Sequence, residues 1–476
     1  MKLPLLPRCL ASAFASLTCT FWVCAAVLIP MSGAAQAAAA TPARPNFIII
    51  YTDDQGIGDL GCYGASDMKT PHLDRLAATG VRFTDWHSNA TVCSPSRASL
   101  LTGKYPQNAG IPSILYSKPG FDVAGLRAGE TTLPGELRKL GYRTAAVGKW
   151  HLGSAAHSRP RAQGFDEWFG FYSGWIDYYS HRFYTLGGQP VFHDLWRNDE
   201  EVSAEPEYQT ELLGREAREF VARQPKDRPF FLYLAFGAPH YPMMAPQKYL
   251  DRFPATMDRD RRLHCAMVAA LDDEVGLLVA QLQQLGLDEQ TVIFFQSDNG
   301  ATAEDRSDHR GRPYRGGSNH PYRGYKGSLW EGGLRMPALM RWPGKIPAGQ
   351  VVAELGMAMD IFPTFLRWAG GTVPAGIDGA DVSGMVQRRE KSPHHAVYWD
   401  YEGRAAVREG PWKFQVGLCE ALGDVVRPET WLSNLHEDPA ETKNYAATHP
   451  EMAAGLQAKL AAWQRTWRPE PKPTKP

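Results

Sequence analysis

The chain has 476 residues, enough for one large core with a smaller unit beside it. Lys and Arg together number 51, as do Asp and Glu, so no bulk charge recommends nucleic acid or an anionic membrane surface as a partner. Hydrophobic residues make up 43% and Trp numbers 14, which excludes a disordered chain and fits a globular one.

Residues 1–37 read as a secretory signal peptide. Lys2 and Arg8 precede an apolar stretch from Cys9 to Ile29, and Ala35-Gln36-Ala37 follows. That stretch approaches membrane-spanning length, so a retained anchor is the alternative; the small residues from Gly33 to Ala40 favour cleavage. Nothing further along is apolar enough to span, and an exported protein, periplasmic or secreted, is expected. Of the 7 cysteines, the leader holds three, leaving Cys62, Cys93, Cys265 and Cys419. These are too few for a disulfide framework in a chain of this length, and without Cys93 at most one bridge can form.

After a short linker comes Asn46 to Tyr51, apolar at nearly every position, and similar runs recur at Tyr142–Val147, Pro229–Phe236 and Thr291–Gln296. Such runs fit strands buried on both faces of a parallel sheet. Between them, Leu263, Met267, Leu271, Val275, Leu278, Leu282 and Leu285 step by four and three and stop at Gly286, which predicts a helix. Asp272 and Asp273 fall inside that helix and are expected to face solvent. Alternating strands and helices predict an α/β catalytic unit over 44–370. From 371 to 476 the texture changes to short β-like pieces (396–399, 405–407, 412–416) and a helical tail over 450–467. This predicts a small antiparallel sheet with a terminal helix.

Each long apolar run ends in a polar cluster. Asp53-Asp54 follow the first, Gly148-Lys149-Trp150-His151 the second, Ala238-Pro239-His240 the third, and Ser297-Asp298-Asn299-Gly300 the fourth. In open α/β sheets, ligands bind beyond the carboxyl ends of the strands, so these clusters should meet at one edge. Asp53, Asp54, Asp298 and Asn299 offer only oxygen donors, suited to a hard cation such as Ca²⁺ or Mg²⁺ that would relieve their mutual repulsion. Lys149 and His151 point the same way if the backbone between them is extended. Lys326 follows a segment holding Arg306, Arg310, Arg312, Arg315 and Arg323, readable as a solvated loop or as a positive rim for an anion. Trp175, Tyr178, Tyr179, Phe183 and Tyr184 are candidates to stack on a ring, though packing explains most of them as well.

One stretch is more specific. Cys93-Ser94-Pro95-Ser96-Arg97 opens an apolar, helix-like run through Leu101, placing a small polar side chain at a helix start beside a fixed positive charge, a position that favours an anion. This C-S-P-S-R element resembles the sulfatase signature. The first Asp pair, G-K-W-H-L-G, A-P-H-Y-P, S-D-N-G and K-G-S-L-W-E-G-G-L-R-M-P follow the same family's order over nearly the whole chain beyond the leader. The resemblance implies an alkaline-phosphatase-like core with a mixed, mostly parallel sheet, and a formylglycine made from Cys93 by a formylglycine-generating enzyme. It implies Ca²⁺ (or Mg²⁺) held by Asp53, Asp54, Asp298, Asn299 and an oxygen of modified Cys93. Arg97 and Lys149 would hold the formylglycine and sulfate oxygens. His240 or Lys326 would bind substrate and protonate the leaving oxygen, and His151 would help release sulfate. The substrate would be a sulfated small molecule or glycan, of arylsulfatase or N-acetylgalactosamine-6-sulfatase type. A phosphomonoester, phosphodiester or phosphonate hydrolase of the same superfamily is the nearest rival, and a binding protein that has lost catalysis the more distant one.

Overall fold

The computed structural model describes residues 44–183, 192–304 and 316–468. The signal-peptide reading, Tyr184, and Arg306, Arg310, Arg312 and Arg315 lie outside them. Ten strands make the large sheet: β1 (Asn46–Thr52), β2 (Val81–Phe83), β3 (Arg143–Lys149), β4 (Glu167–Phe171), β5 (Trp196–Arg197), β6 (Glu200–Glu201), β7 (Phe230–Ala235), β8 (Thr291–Ser297), β9 (Ala338–Arg341) and β10 (Gln350–Val352). Their spatial order is β10-β2-β9-β8-β1-β7-β3-β4-β5-β6. The central five, β8-β1-β7-β3-β4, are all parallel; β9 and β5 attach antiparallel on either side. The four apolar runs thus lie side by side at the centre, where strands are covered on both faces.

Alternation along β1 divides the core. Phe47, Ile49 and Tyr51 face one layer, with helix residues such as Leu100, Leu101, Phe362 and Phe365; Ile48 and Ile50 face the other, with Leu73, Leu213, Phe220 and Leu271. The principal helices are α1 (Pro71–Ala78), α2 (Cys93–Thr102), α3 (Gln209–Ala222), α4 (Arg259–Gln284), α5 (Ile361–Trp368) and α6 (Pro450–Trp467). Each fully buried Leu, Ile or Phe here is worth about 1.5–3 kcal/mol over its exposed state.

The expected small sheet is present as four antiparallel strands: β11 (Ala396–Tyr401), β12 (Arg404–Glu409), β13 (Trp412–Leu418) and β14 (Arg427–Asn434). Helix α6 packs on β12 and β13 through Leu456 and Leu460. Two expectations need correction. Asp272 does not face solvent; it is buried and accepts the backbone N–H groups of His72 (3.1 Å) and Leu73 (2.8 Å), capping the first turn of α1 from a neighbouring helix. Arg323 is no rim cation: its guanidinium lies 3.8 Å from the Trp330 ring centre and donates to Glu420. Cys62, Cys93, Cys265 and Cys419 are all unpaired. Among the described residues, no helix is long and apolar enough to cross a membrane.

Candidate active site

Every cluster predicted from the sequence meets at the carboxyl edge of the central strands. Asp53 and Asp54 follow β1, Lys149 ends β3, His240 lies beyond β7, and Asp298 and Asn299 follow β8. Helix α2 runs to the same edge and is buried along its whole length, which explains the small residues of the C-S-P-S-R element. Ser94 Oγ accepts from Leu115 N (3.1 Å), and Ser96 Oγ donates to the Asp298 carbonyl (2.6 Å). Pro95 sits in the first turn, where the missing N–H costs nothing. Arg97, fully buried, donates from Nη2 (2.7 Å) and Nε (3.1 Å) to Asp298 Oδ2.

The other charges are paired as closely. Lys149 Nζ donates to Asp53 Oδ2. Lys326 Nζ donates to Asp54 Oδ2 at 2.9 Å and lies 3.3 Å from Glu304 Oε2. His240 Nε2 is 3.6 Å from Asp54 Oδ2, while its Nδ1 donates to the Tyr241 carbonyl at 2.6 Å. His151 Nε2 donates to the Leu115 carbonyl at 2.8 Å, so the neutral ring carries no proton on Nδ1, which is buried without a hydrogen-bond partner. The backbone at His151 is not the extended stretch expected. It is left-handed, with φ 54°, as is Asp54 with φ 60°. Such residues cost about 1–2 kcal/mol each and concentrate at functional sites.

Burial dominates the electrostatics. It pushes the Cys93 thiol well up, against Lys149 and Lys326. Burial also raises Asp54 to about 7, opposed by Lys326 and reinforced by Asp53 and Asp298. Asp298 is raised by the same causes, burial first and Asp53 next. Asp53 suffers burial too, but Lys149, Arg97 and Lys326 bring it below the usual carboxylate range.

These residues fit a hard cation. Each carboxylate already has a basic partner, so repulsion alone does not demand one, yet Asp54 and Asp298 remain hard to ionise. Asn299 supplies the sharper sign: Nδ2 donates to Asp54 Oδ1 (2.6 Å), but its carbonyl Oδ1 is buried with no partner. Buried polar atoms are nearly always satisfied, and an orphan marks an absent ligand or strain. An all-oxygen donor set points to Ca²⁺ or Mg²⁺. One donor atom each from Asp53, Asp54, Cys93 and His240 also falls within a 4.8 Å cluster.

A cavity of about 310 Å³ opens at this cluster, lined by Cys93, His151, His240 and Lys326 together with Tyr116, Trp175, Tyr241, Tyr401, Glu402 and Arg404. Trp175 stacks on the His240 ring at 6.0 Å, whereas Tyr178 supports the same histidine from behind, donating to its carbonyl. Phe183 is packed against Trp175 and Phe192. Glu304, Tyr401 and Arg404 were not foreseen, since no local pattern sets them apart from ordinary polar or strand residues; Tyr241 was passed over although it lies in the A-P-H-Y-P element.

The sequence profile described as Sulfatase matches residues 45–371. This chain belongs to the sulfatase family. A second profile, "N-sulphoglucosamine sulphohydrolase, C-terminal", matches residues 324–466 of this sulfatase. It is 37% identical to N-acetylgalactosamine-6-sulfatase of Canis lupus familiaris over 81% of this chain and 74% of that one. With arylsulfatase A of Homo sapiens it shares 34% identity over 87% and 86% of the two chains. The crystal structure of Ps i-CgsB in complex with k-i-k-neocarrahexaose superimposes with a TM-score of 0.78 at 31% identity, covering 88% of this chain and 92% of that one. A phosphonate monoester hydrolase of Agrobacterium radiobacter, 20% identical with a TM-score of 0.63, shares the fold alone. The protein is thus a sulfatase enzyme, a hydrolase of sulfate esters.

Proposed function

We propose that this sulfatase is an exported enzyme that cleaves aryl or carbohydrate sulfate monoesters at residue 93, after a formylglycine-generating enzyme has converted Cys93. The observation that carries this reading is that Cys93, His151, His240 and Lys326 line one cavity, with Arg97 and Lys149 buried beside it against Asp298 and Asp53. Formylglycine, as its hydrate, would supply a hydroxyl nucleophile and a second hydroxyl whose deprotonation would expel sulfate and restore the aldehyde. A thiol held protonated by burial is a poor nucleophile in itself, which supports the precursor reading of Cys93.

Asp53, Asp54, Asp298 and Asn299 would hold Ca²⁺ or Mg²⁺, which contributes positive charge for the sulfuryl oxygens. Arg97 and Lys149, anchored on Asp298 and Asp53, fix the charge beside residue 93 before substrate arrives. Fixed charge of this kind is usually the largest catalytic contribution. Between the two candidate proton donors, geometry favours Lys326. Its ammonium has three N–H groups, and Asp54 and Glu304 engage two of them. Neutral His240 gives its one proton to Tyr241, leaving Nε2 as an acceptor. His151, with Nδ1 unprotonated, suits the role of base in releasing sulfate. Trp175, Tyr116 and Tyr401 offer aromatic faces for a pyranose or aryl leaving group. The names of the relatives support a sulfated glycan fragment as substrate.

Turnover of matched aryl sulfate and aryl phosphate tests the reading. Sulfate should be strongly preferred, and Cys93→Ala should abolish it. Equal or greater phosphatase turnover would transfer the activity to the rival class.

A further inference from the structure

Lys326 belongs to no helix or strand. It occupies a turn between Gly324 (φ 85°) and Gly327 (φ 89°), so its place depends on what grips that turn. The α/β core holds one side: Lys326 N donates to the Ala301 carbonyl (3.0 Å) and Gly327 N to that of Thr91 (2.9 Å). The other side is held from the small sheet and from the loop between β13 and β14. Tyr325 N donates to the Glu420 carbonyl (2.8 Å), Leu422 N to the Lys326 carbonyl (2.7 Å), and Arg404 Nη1 to the Gly327 carbonyl (2.8 Å). Side chains add to this grip: Arg404 shares the Gly327 carbonyl with Cys419 Sγ (3.6 Å), and Asn319 Nδ2 donates to the Gly324 carbonyl (3.0 Å) from the core side.

Arg404 begins β12 and is 4% exposed. Its guanidinium is locked by Nε donation to the Tyr401 carbonyl (3.2 Å), by a contact from Nη1 to Cys419 Sγ (3.1 Å), and by the Tyr401 ring at 4.6 Å. A planar fork held this firmly is a rigid strut, unlike a lysine at the same place. At the far end, Lys326 Nζ must still reach Asp54 and Glu304, so slack in the turn becomes misplacement of the ammonium.

We propose that Arg404 is a positioning residue for Lys326, and that through it the C-terminal sheet sets the charge at the sulfate site. This rests on the reading that Lys326 serves sulfate-ester cleavage.

The test is a double-mutant cycle on the mature enzyme, with conversion of Cys93 checked by mass and a small aryl sulfate as substrate. Arg404→Met should lower kcat/KM by roughly tenfold to a hundredfold, the scale expected of small misplacements. Arg404→Lys should recover part of that loss. In a Lys326→Ala background, the further loss on adding Arg404→Met should shrink to within about twofold, because both act through one group. Gly327→Ala disturbs the turn while leaving the Arg404 side chain unchanged, since its Cβ would lie 2.5 Å from Leu422 Cα. It should reproduce the loss, and Arg404→Lys carries the cycle if Arg404→Met fails to fold. A full, additive loss in the Lys326→Ala background, or unchanged kcat/KM in Arg404→Met, overturns the proposal while leaving the sulfatase reading intact. A wild-type enzyme that cleaves no sulfate ester removes the reading beneath it.

Discussion

At position 93 the surroundings disfavour a thiolate: the side chain is buried in the first turn of α2, and burial outweighs the pull of Lys149 and Lys326. What the pocket offers instead is fixed positive charge around a group that, in the function proposed above, is chemically altered before it acts. Cys93→Ser should therefore retain the fold, with an unfolding midpoint close to the wild type, yet lose sustained turnover of an aryl sulfate. A serine that turned over at the wild-type rate would exclude the hydrate. Asn299 makes a second residue-scale claim, because its orphaned carbonyl oxygen is aimed at no protein donor. Ca²⁺ should raise the unfolding midpoint of the wild type. Asn299→Ala should weaken Ca²⁺ binding by roughly tenfold to a hundredfold in calorimetry, the scale on which metal-site support is usually felt.

Helix α2 holds its first turn, with Cys93 and Arg97, in register from its other end. Gly103 terminates it with φ 67°, and an added Cβ would meet Phe362 Cβ and Ile377 Cγ2 at 2.9 Å. Gly103→Ala combines left-handed strain with overpacking and should cost about 2–4 kcal/mol in denaturant unfolding. Helix α5 carries a pH-dependent element. His394 Nε2 lies 2.7 Å from Asp360 Oδ2, just before that helix, and although burial lowers the imidazole pKa, the Asp360 charge and hydrogen bond raise it above 6.5 overall. A raised pKa means stabilisation that is full below the unfolded value and lost as pH rises through the folded one. His394→Gln should thus destabilise the protein at about pH 5.5 and leave it near wild type at about pH 9, read from thermal midpoints. Legibility also differed by element. The central strands were plain because burial on both faces makes them apolar throughout, and α6 because Pro450 opens it and Trp467 ends its periodic face. Strand β14 was missed because Arg427–Thr430 are exposed and hold a proline and charged residues, its inward residues coming only at the end. Asp272 was misread because periodicity describes a residue's own helix and is blind to the helix N-terminus that a neighbour brings to it.

Across the whole molecule, core and small sheet meet through buried charge. Lys413 Nζ lies 2.9 Å from both Glu331 and Glu441, all three fully buried, and Arg408, opposite Lys413 on β12, pairs with Asp85. Removing one member strands the others without water, so Lys413→Met should cost about 3–5 kcal/mol in unfolding free energy. This joint explains why the site was only partly legible. The residues at strand ends announce themselves by type and position, whereas Arg404 and Tyr401 reach the cavity only because a second sheet is docked there. The central claim is that residue 93 works as a formylglycine, and it is tested most directly by the mass of the peptide containing it, from enzyme that is actively hydrolysing a sulfate ester. The peptide should be lighter by the exchange of CH₂SH for CHO, in proportion to activity; an intact thiol in fully active enzyme would contradict a formylglycine at residue 93.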